Sequence, residues 1–158
     1  MKVLKSLRPL ALTALLGAAA GVQAGSCPAD KLMANALPGA ATMPVGVIDK
    51  ELASIDLGGE NVKLDNRRLR LRHMTIMPGG IVPKHSHEDR PALIMVTSGE
   101  VLEYSSKCAV AILHKTGEVA REALGTEHWW KNTSGKPVQL TIADIVNDKK
   151  PETMQDKM

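Results

Sequence analysis

The 158-residue chain carries a formal net charge of +3 at pH 7, with one Tyr, two Trp and no Phe. The whole excess sits in Lys2, Lys5 and Arg8, ahead of the first acidic residue, Asp30; the 20 Lys and Arg less these three leave 17, against 17 Asp and Glu. That balance removes the electrostatic case for nucleic acid, an anionic membrane surface or a polyacid as partner.

Residues 1–24 read as a cleavable signal peptide. A basic start is followed by the uncharged apolar run Leu10 to Ala20, and Val22-Gln23-Ala24 places small residues at a cleavage site. Even counted from Leu10 through Ala24, 15 residues, the uncharged stretch falls short of the ~20 that span a bilayer, so no stable membrane span is expected. Lipid attachment at Cys27 is disfavoured, because Ala24-Gly25-Ser26-Cys27 lacks the leucine that usually opens such a site. The expected location is therefore periplasmic or secreted. Cleavage after Ala24 leaves 134 residues, enough for one domain.

Residues 25–44, rich in Ala, Pro, Gly and Met, form a leader arm with at most one short helical turn. A first strand region covers Val45 to Leu57, ended by Gly58-Gly59. Arg67 to Met77 alternates cleanly: Arg68, Arg70 and Arg72 fall on one face, read as solvated, and Leu69, Leu71 and His73 on the other, read as inward. Pro78-Gly79-Gly80 makes a turn into the His85-Ser86-His87 strand. On an extended strand, residues two apart share a face, so both imidazoles can converge on one ion.

Short strands then recur about every ten residues: Ala92 to Thr97, Glu100 to Tyr104, Cys108 to His114, Val119 to Ala123, His128 to Lys131 and Val138 to Val146. With glycine turns between them and no helical period, they predict an all-β sandwich or barrel over residues 45–147. Residues 148–158 form a charged, flexible tail. Cys27 and Cys108 either join the arm to the domain in a disulfide or remain apart, Cys108 as a small buried hydrophobe; an oxidising compartment permits the first.

Two gapped motifs carry a resemblance. The first reads Gly79, five residues, His85-Ser86-His87, four residues, Ala92, six residues, Gly99; the second reads Gly117, five residues, Ala123-Leu124-Gly125, two residues, His128, three residues, Asn132. In order and spacing they resemble the paired motifs of the cupin superfamily, and the chain is identified as a single-domain cupin of conserved-barrel type. The pattern departs at Ala92, where the family places a glutamate, and at Ala123, where it places a proline. The resemblance covers about Arg67 to Val146 and implies a jelly-roll β-barrel holding one metal through His85, His87 and His128.

Three neutral imidazoles without a carboxylate suit Fe(II) first, then Zn or Cu, with positions left for water, oxygen or substrate. Some cupins with three histidines are dioxygenases, so the resemblance implies an oxygenase-type enzyme on a small molecule; the alternative is a non-catalytic cupin that binds or senses a small ligand or a metal ion. A homodimer is implied by resemblance alone. Asp89 is weighed as a replacement carboxylate, against the interruption by Pro91. Trp130, His73 and Tyr104 are the candidates for the pocket wall, and Glu100, Glu103 and Arg90 are polar candidates without a distinguishing spacing.

Overall fold

The computed structural model describes residues 25–37 and 39–149; the signal peptide and most of the tail expected from the sequence lie outside them. After a single 3-10 turn at Ala29–Lys31, eight strands follow: β1 (Val45–Asp56), β2 (Arg67–Ser86), β3 (Ala92–Ser98), β4 (Glu100–Ser105), β5 (Ile112–Lys115), β6 (Val119–Glu122), β7 (Glu127–Lys131) and β8 (Val138–Asn147). The architecture is all-β, with the strands in the order β5-β4-β7-β2-β8-β3-β6 and β1 added alongside β2. β5 and β6 are the two ends of this order, joined by the turn in which Glu118 N donates to Lys115 O. The sheet thus wraps into a nearly closed barrel with its seam between these strands.

Inside lies one apolar cluster, including Met74, Ile76, Val96, Val101, Trp130, Leu140 and Ile142. Methionine and branched aliphatics fill volume that aromatics supply in other cores, as expected of a chain without Phe. Trp130 is the largest fully buried side chain.

Pro78-Gly79-Gly80 does not end a strand. β2 is continuous for 20 residues, and this segment forms a bulge against β1 at the point where the other edge of β2 passes from β8, which pairs as far as Ile76, to β7, which pairs from Ile81. Gly79 has φ +73°, and a Cβ on Gly80 would stand 2.7 Å from the Met77 carbonyl oxygen, so the close backbone approach requires glycine. Asn132 clamps this bulge from β7's end: Gly79 N donates to Asn132 O and Asn132 N donates to Gly80 O, both at 3.0 Å. A second irregularity between Val82 and His85 shifts the inward parity. Before it Met74, Ile76 and Val82 face in; after it His85 and His87 do.

The arginine face of β2 is corrected by the structure. Arg70 and Arg72 are 4% and 3% exposed, whereas Leu69 and Leu71 are 39% and 40% exposed. Alternation fixes the period but not which face turns inward. Here a buried acid decides: Asp144 on β8 pairs in register with Arg70 and takes both its Nε and Nη2, at 3.0 and 2.9 Å. Arg72 adds an ion pair with Asp49 of β1 and a 3.4 Å contact to Asp144. The predicted strand from Cys108 starts late, at Ile112, because Cys108 is joined to Cys27 in a disulfide with Cα atoms 5.7 Å apart. Leu32 also bridges to Cys108, so the arm is stitched to the barrel.

Candidate metal centre

β2 and β7 lie side by side with His85 directly opposite His128. His87, two residues along the same face, completes a triangle in which the Nε2 atoms are 3.1 Å (His85 to His87), 2.9 Å (His87 to His128) and 3.0 Å (His128 to His85) apart. All three rings are buried.

The opposite ring nitrogens determine what this triangle is. His85 Nδ1–H donates to the Pro83 carbonyl at 2.9 Å and His87 Nδ1–H to the Arg90 carbonyl at 2.6 Å; a carbonyl can only accept, so the protons lie on Nδ1. His128 Nδ1 faces Glu103 Oε1 at 3.1 Å and Glu122 Oε1 at 3.4 Å. These two carboxylates outweigh the neutral indole N–H of Trp130, also 3.1 Å away, because charge-assisted bonds are about twice as strong. The three Nε2 atoms then converge across about 3 Å, an arrangement that a shared cation relieves, whether a proton on His128 or a metal ion in its place.

Its size fits a metal ion. Three nitrogens at about 2.1 Å from a centre, with angles of about 90°, are about 3.0 Å apart, whereas tetrahedral angles would spread them to about 3.4 Å. The observed edges match the 90° spacing, so an ion held by these three nitrogens would have further positions for other ligands.

Electrostatics agree with this reading. Burial, then the neighbouring His128 and His87, holds His85 well below the usual imidazole range. Burial, then His128, lowers His87 to about 3. At His128 burial works in the same direction, but Glu122 and Glu103 outweigh it and push the ring up to about 9. The field that favours positive charge at this ring also favours a cation on it. Glu103 is drawn down to about 2: burial would raise it, and hydrogen bonds from His114 and His128 prevail. His114 Nε2 meets Glu103 Oε2 at 2.7 Å, and the His114 ring stacks on Trp130.

Ala92 faces the interior and offers no ligand atom. Its register partner on β6 is Glu122, so a carboxylate stands one strand away from the position where the family pattern has one, turned to the rear nitrogen of His128. Asp89 is not at the centre; it binds Arg67 and accepts from Asn147. Of the pocket candidates, Trp130 lines a cavity beside His85 and His87 together with Arg72, Met74 and Leu140. The other two are corrected. His73 shares the outer face with Leu69 and Leu71, the consequence of the reversed β2 alternation, and Tyr104 lies on the outer face of β4, stacked on Trp129 at 4.0 Å. The cavity itself offers about 10 Å³, room for about one water.

Glu122 and His114 escaped the sequence reading, and Glu103 appeared there without distinction. Their signal is the alternation of short strands: Val101, Glu103 and Ser105 face inward on β4, Ile112 and His114 on β5, Ala120 and Glu122 on β6. Polar residues at inward parity mark a site, yet strands of four residues carry too little pattern to fix parity without the fold.

The family model described as Cupin domain matches residues 72–144. Among solved structures, a predicted oxalate decarboxylase from Thermotoga maritima aligns with TM-score 0.52 at 18% identity, over 68% of this chain and 94% of that one. KdgF from Halomonas sp. aligns with TM-score 0.51 at 13% identity, over 66% and 83%. The cupin domain of Schizosaccharomyces pombe Cnp3 aligns with TM-score 0.50 at 13% identity, over 66% and 67%. At these identities the likeness is one of fold. No curated protein matches the chain.

Proposed function

We propose that this chain, whose residues 72–144 match the Cupin domain model, is an exported small cupin that binds one divalent transition metal through His85, His87 and His128 and acts as an oxygenase-type enzyme on a small molecule. The observation that carries the reading is the triangle of Nε2 atoms, 2.9 to 3.1 Å on each edge, whose Nδ1 partners turn all three Nε2 atoms inward.

The three-imidazole set favours Fe(II), with Zn or Cu as the next fits. When bound, such an ion supplies Lewis acidity and, for iron, redox chemistry at its open positions. The chain's own groups do the rest. Pro83 O and Arg90 O fix the His85 and His87 rings, Glu103 fixes His128, and the apolar wall of Met74, Leu140 and Trp130 limits water. The narrowness of the cavity beside His85 and His87 supports a second reading, a barrel that holds or senses a metal or small ligand without turnover. A substrate larger than water requires that wall to open.

Metal analysis of the mature protein, followed by oxygen uptake with thiols, diketones and catechols, separates the two readings. His128→Ala should lose metal and the exposed Glu88→Ala should keep it; equal occupancy in both would refute the ligand set. Export and processing are tested by N-terminal sequencing of protein from its host, where intact Met1 would count against cleavage. The homodimer implied by family resemblance is tested by sedimentation. Among the described residues no helix is long and apolar enough to cross a membrane.

A further inference from the structure

The disulfide at Cys27 holds the arm against the seam of the barrel, where Gly25 N donates to Leu113 O of β5 at 3.1 Å. Gly25, Cys27 and His114 all line a seam cavity of about 410 Å³. Two polar groups converge on Gly25 from the barrel side. A Cβ added there would stand 3.0 Å from Glu118 Oε2 and 3.2 Å from His114 Nδ1, and the residue has φ +85°. A side chain at this position would push both groups back, so glycine is required. The backbone nitrogen lies about 2.5 Å from that Cβ position, which puts both groups within about 6 Å of it.

Both groups suit a donor. His114 is 1% exposed, and its Nδ1 has no hydrogen-bond partner among the described residues. Its Nε2 faces the Glu103 carboxylate at 2.7 Å and therefore carries the proton, which leaves Nδ1 of the neutral ring as an acceptor. A buried acceptor left unmade is costly. Glu118 is half-buried, and its Oε2 is fixed at the turn between β5 and β6 by Lys115 N at 2.8 Å. In the uncut chain Gly25 can serve neither group, because an amide nitrogen has one hydrogen and Leu113 O takes it. Hydrolysis after Ala24 by a signal peptidase adds water across the peptide bond, leaving Ala24 a carboxylate and Gly25 an ammonium with three hydrogens.

We propose that this α-ammonium docks where it is formed, keeping Leu113 O and adding Glu118 Oε2 and His114 Nδ1, so that removal of the signal peptide supplies the missing partner of a buried histidine. The seam is then a receptor for the chain's own processed terminus. Through His114 and Glu103 the docked terminus is joined by hydrogen bonds to the rear nitrogen of His128.

The inference rests on export with cleavage after Ala24, and the two fail differently. Sequencing of the host protein reads the cleavage, and a first residue other than Gly25 would remove both. Docking is read by acetylation of the mature protein with acetic anhydride at neutral pH, followed by mass spectrometry of the N-terminal peptide. The Gly25 α-amine should react at least about tenfold more slowly than the α-amine of a form that retains Ala24, the factor expected of one charge-assisted hydrogen bond. In urea unfolding the mature form should be favoured over the Ala24 form by a similar factor in its folding equilibrium, and Glu118→Gln should abolish both differences. Equal acetylation rates in the two wild-type lengths would overturn docking and leave the cleavage standing. Differences that persist undiminished in folded Glu118→Gln would also overturn it. The comparison of lengths needs no substitution, so a variant that misfolds does not protect the inference.

Discussion

Glu103 and His128 are joined at 3.1 Å between a carboxylate oxygen and the rear nitrogen of a ring whose front nitrogen belongs to the metal triangle. The bond fixes both the tautomer and the plane of His128, and His114 secures the other carboxylate oxygen at 2.7 Å. Glu103→Gln keeps the shape and removes the charge. Partners of this kind are worth about 10- to 100-fold in metal affinity, so a loss of that size is expected in competition with a chromogenic chelator. Unchanged affinity would mean that the triangle needs no support from behind.

Asp144 supports the barrel rather than the metal. It is buried with both oxygens engaged by Arg70, and Arg72 lies within 3.4 Å. Removing one partner strands buried charge, so Asp144→Ala should cost about 3–5 kcal/mol in urea unfolding. The pair of Arg68 with Asp148, whose side chain is 42% exposed, is the control; Asp148→Ala should cost about 1 kcal/mol or less. Similar losses in the two variants would contradict the burial argument.

The elements most legible in sequence were those fixed by covalent geometry. The two gapped motifs placed His85, His87 and His128 on strands that the barrel brings together, and the period of two read from Arg67 to Met77 was correct, although the turn read at Pro78-Gly79-Gly80 is a bulge within the same strand. What failed was direction. Nothing local to Arg68, Arg70 and Arg72 says that Asp144, more than 70 positions away, will draw two of them inside, and that reversal carried His73 outward. Glu122 and His114 were invisible for a related reason: each matters through a neighbour supplied by another strand, Ala92 and His128 for the first, Glu103 and Trp130 for the second. Resemblance identified the position that lost its carboxylate, but only the sheet register shows which strand carries one nearby.

The Cys27 to Cys108 bridge closes a sequence separation of 81 residues. Loops of this length lie in the range where a disulfide contributes about 2–5 kcal/mol, chiefly by restricting the unfolded chain. Cys27→Ser with Cys108→Ser should therefore lower stability by that amount. Backbone bonds from Met33 to Lys107 and from Ala109 to Lys31 also hold the arm, so the barrel should remain folded at ambient temperature. Equal urea midpoints for the double variant and the oxidised wild type would show that these bonds alone suffice.

Gly80 couples the bulge of β2 to the metal triangle. A methyl group there would approach Met77 O at 2.7 Å, Ile76 Cγ2 at 2.8 Å and Val45 O at 3.0 Å, and two of these are backbone atoms that cannot turn aside. The displacement must be taken up by the chain, and the adjoining bonds lead to Asn132, one residue beyond the strand that carries His128. Gly80→Ala should thus cost about 1–3 kcal/mol and also weaken metal binding at least about tenfold, since β2 and β7 each supply part of the triangle. Gly117, with φ +90° and open space around its Cβ position, separates strain from position. Gly117→Ala should cost about 1–2 kcal/mol of backbone energy and leave metal affinity unchanged. If isothermal titration finds the two variants equally impaired in binding, the bulge contributes to stability only and does not set the register of the histidines.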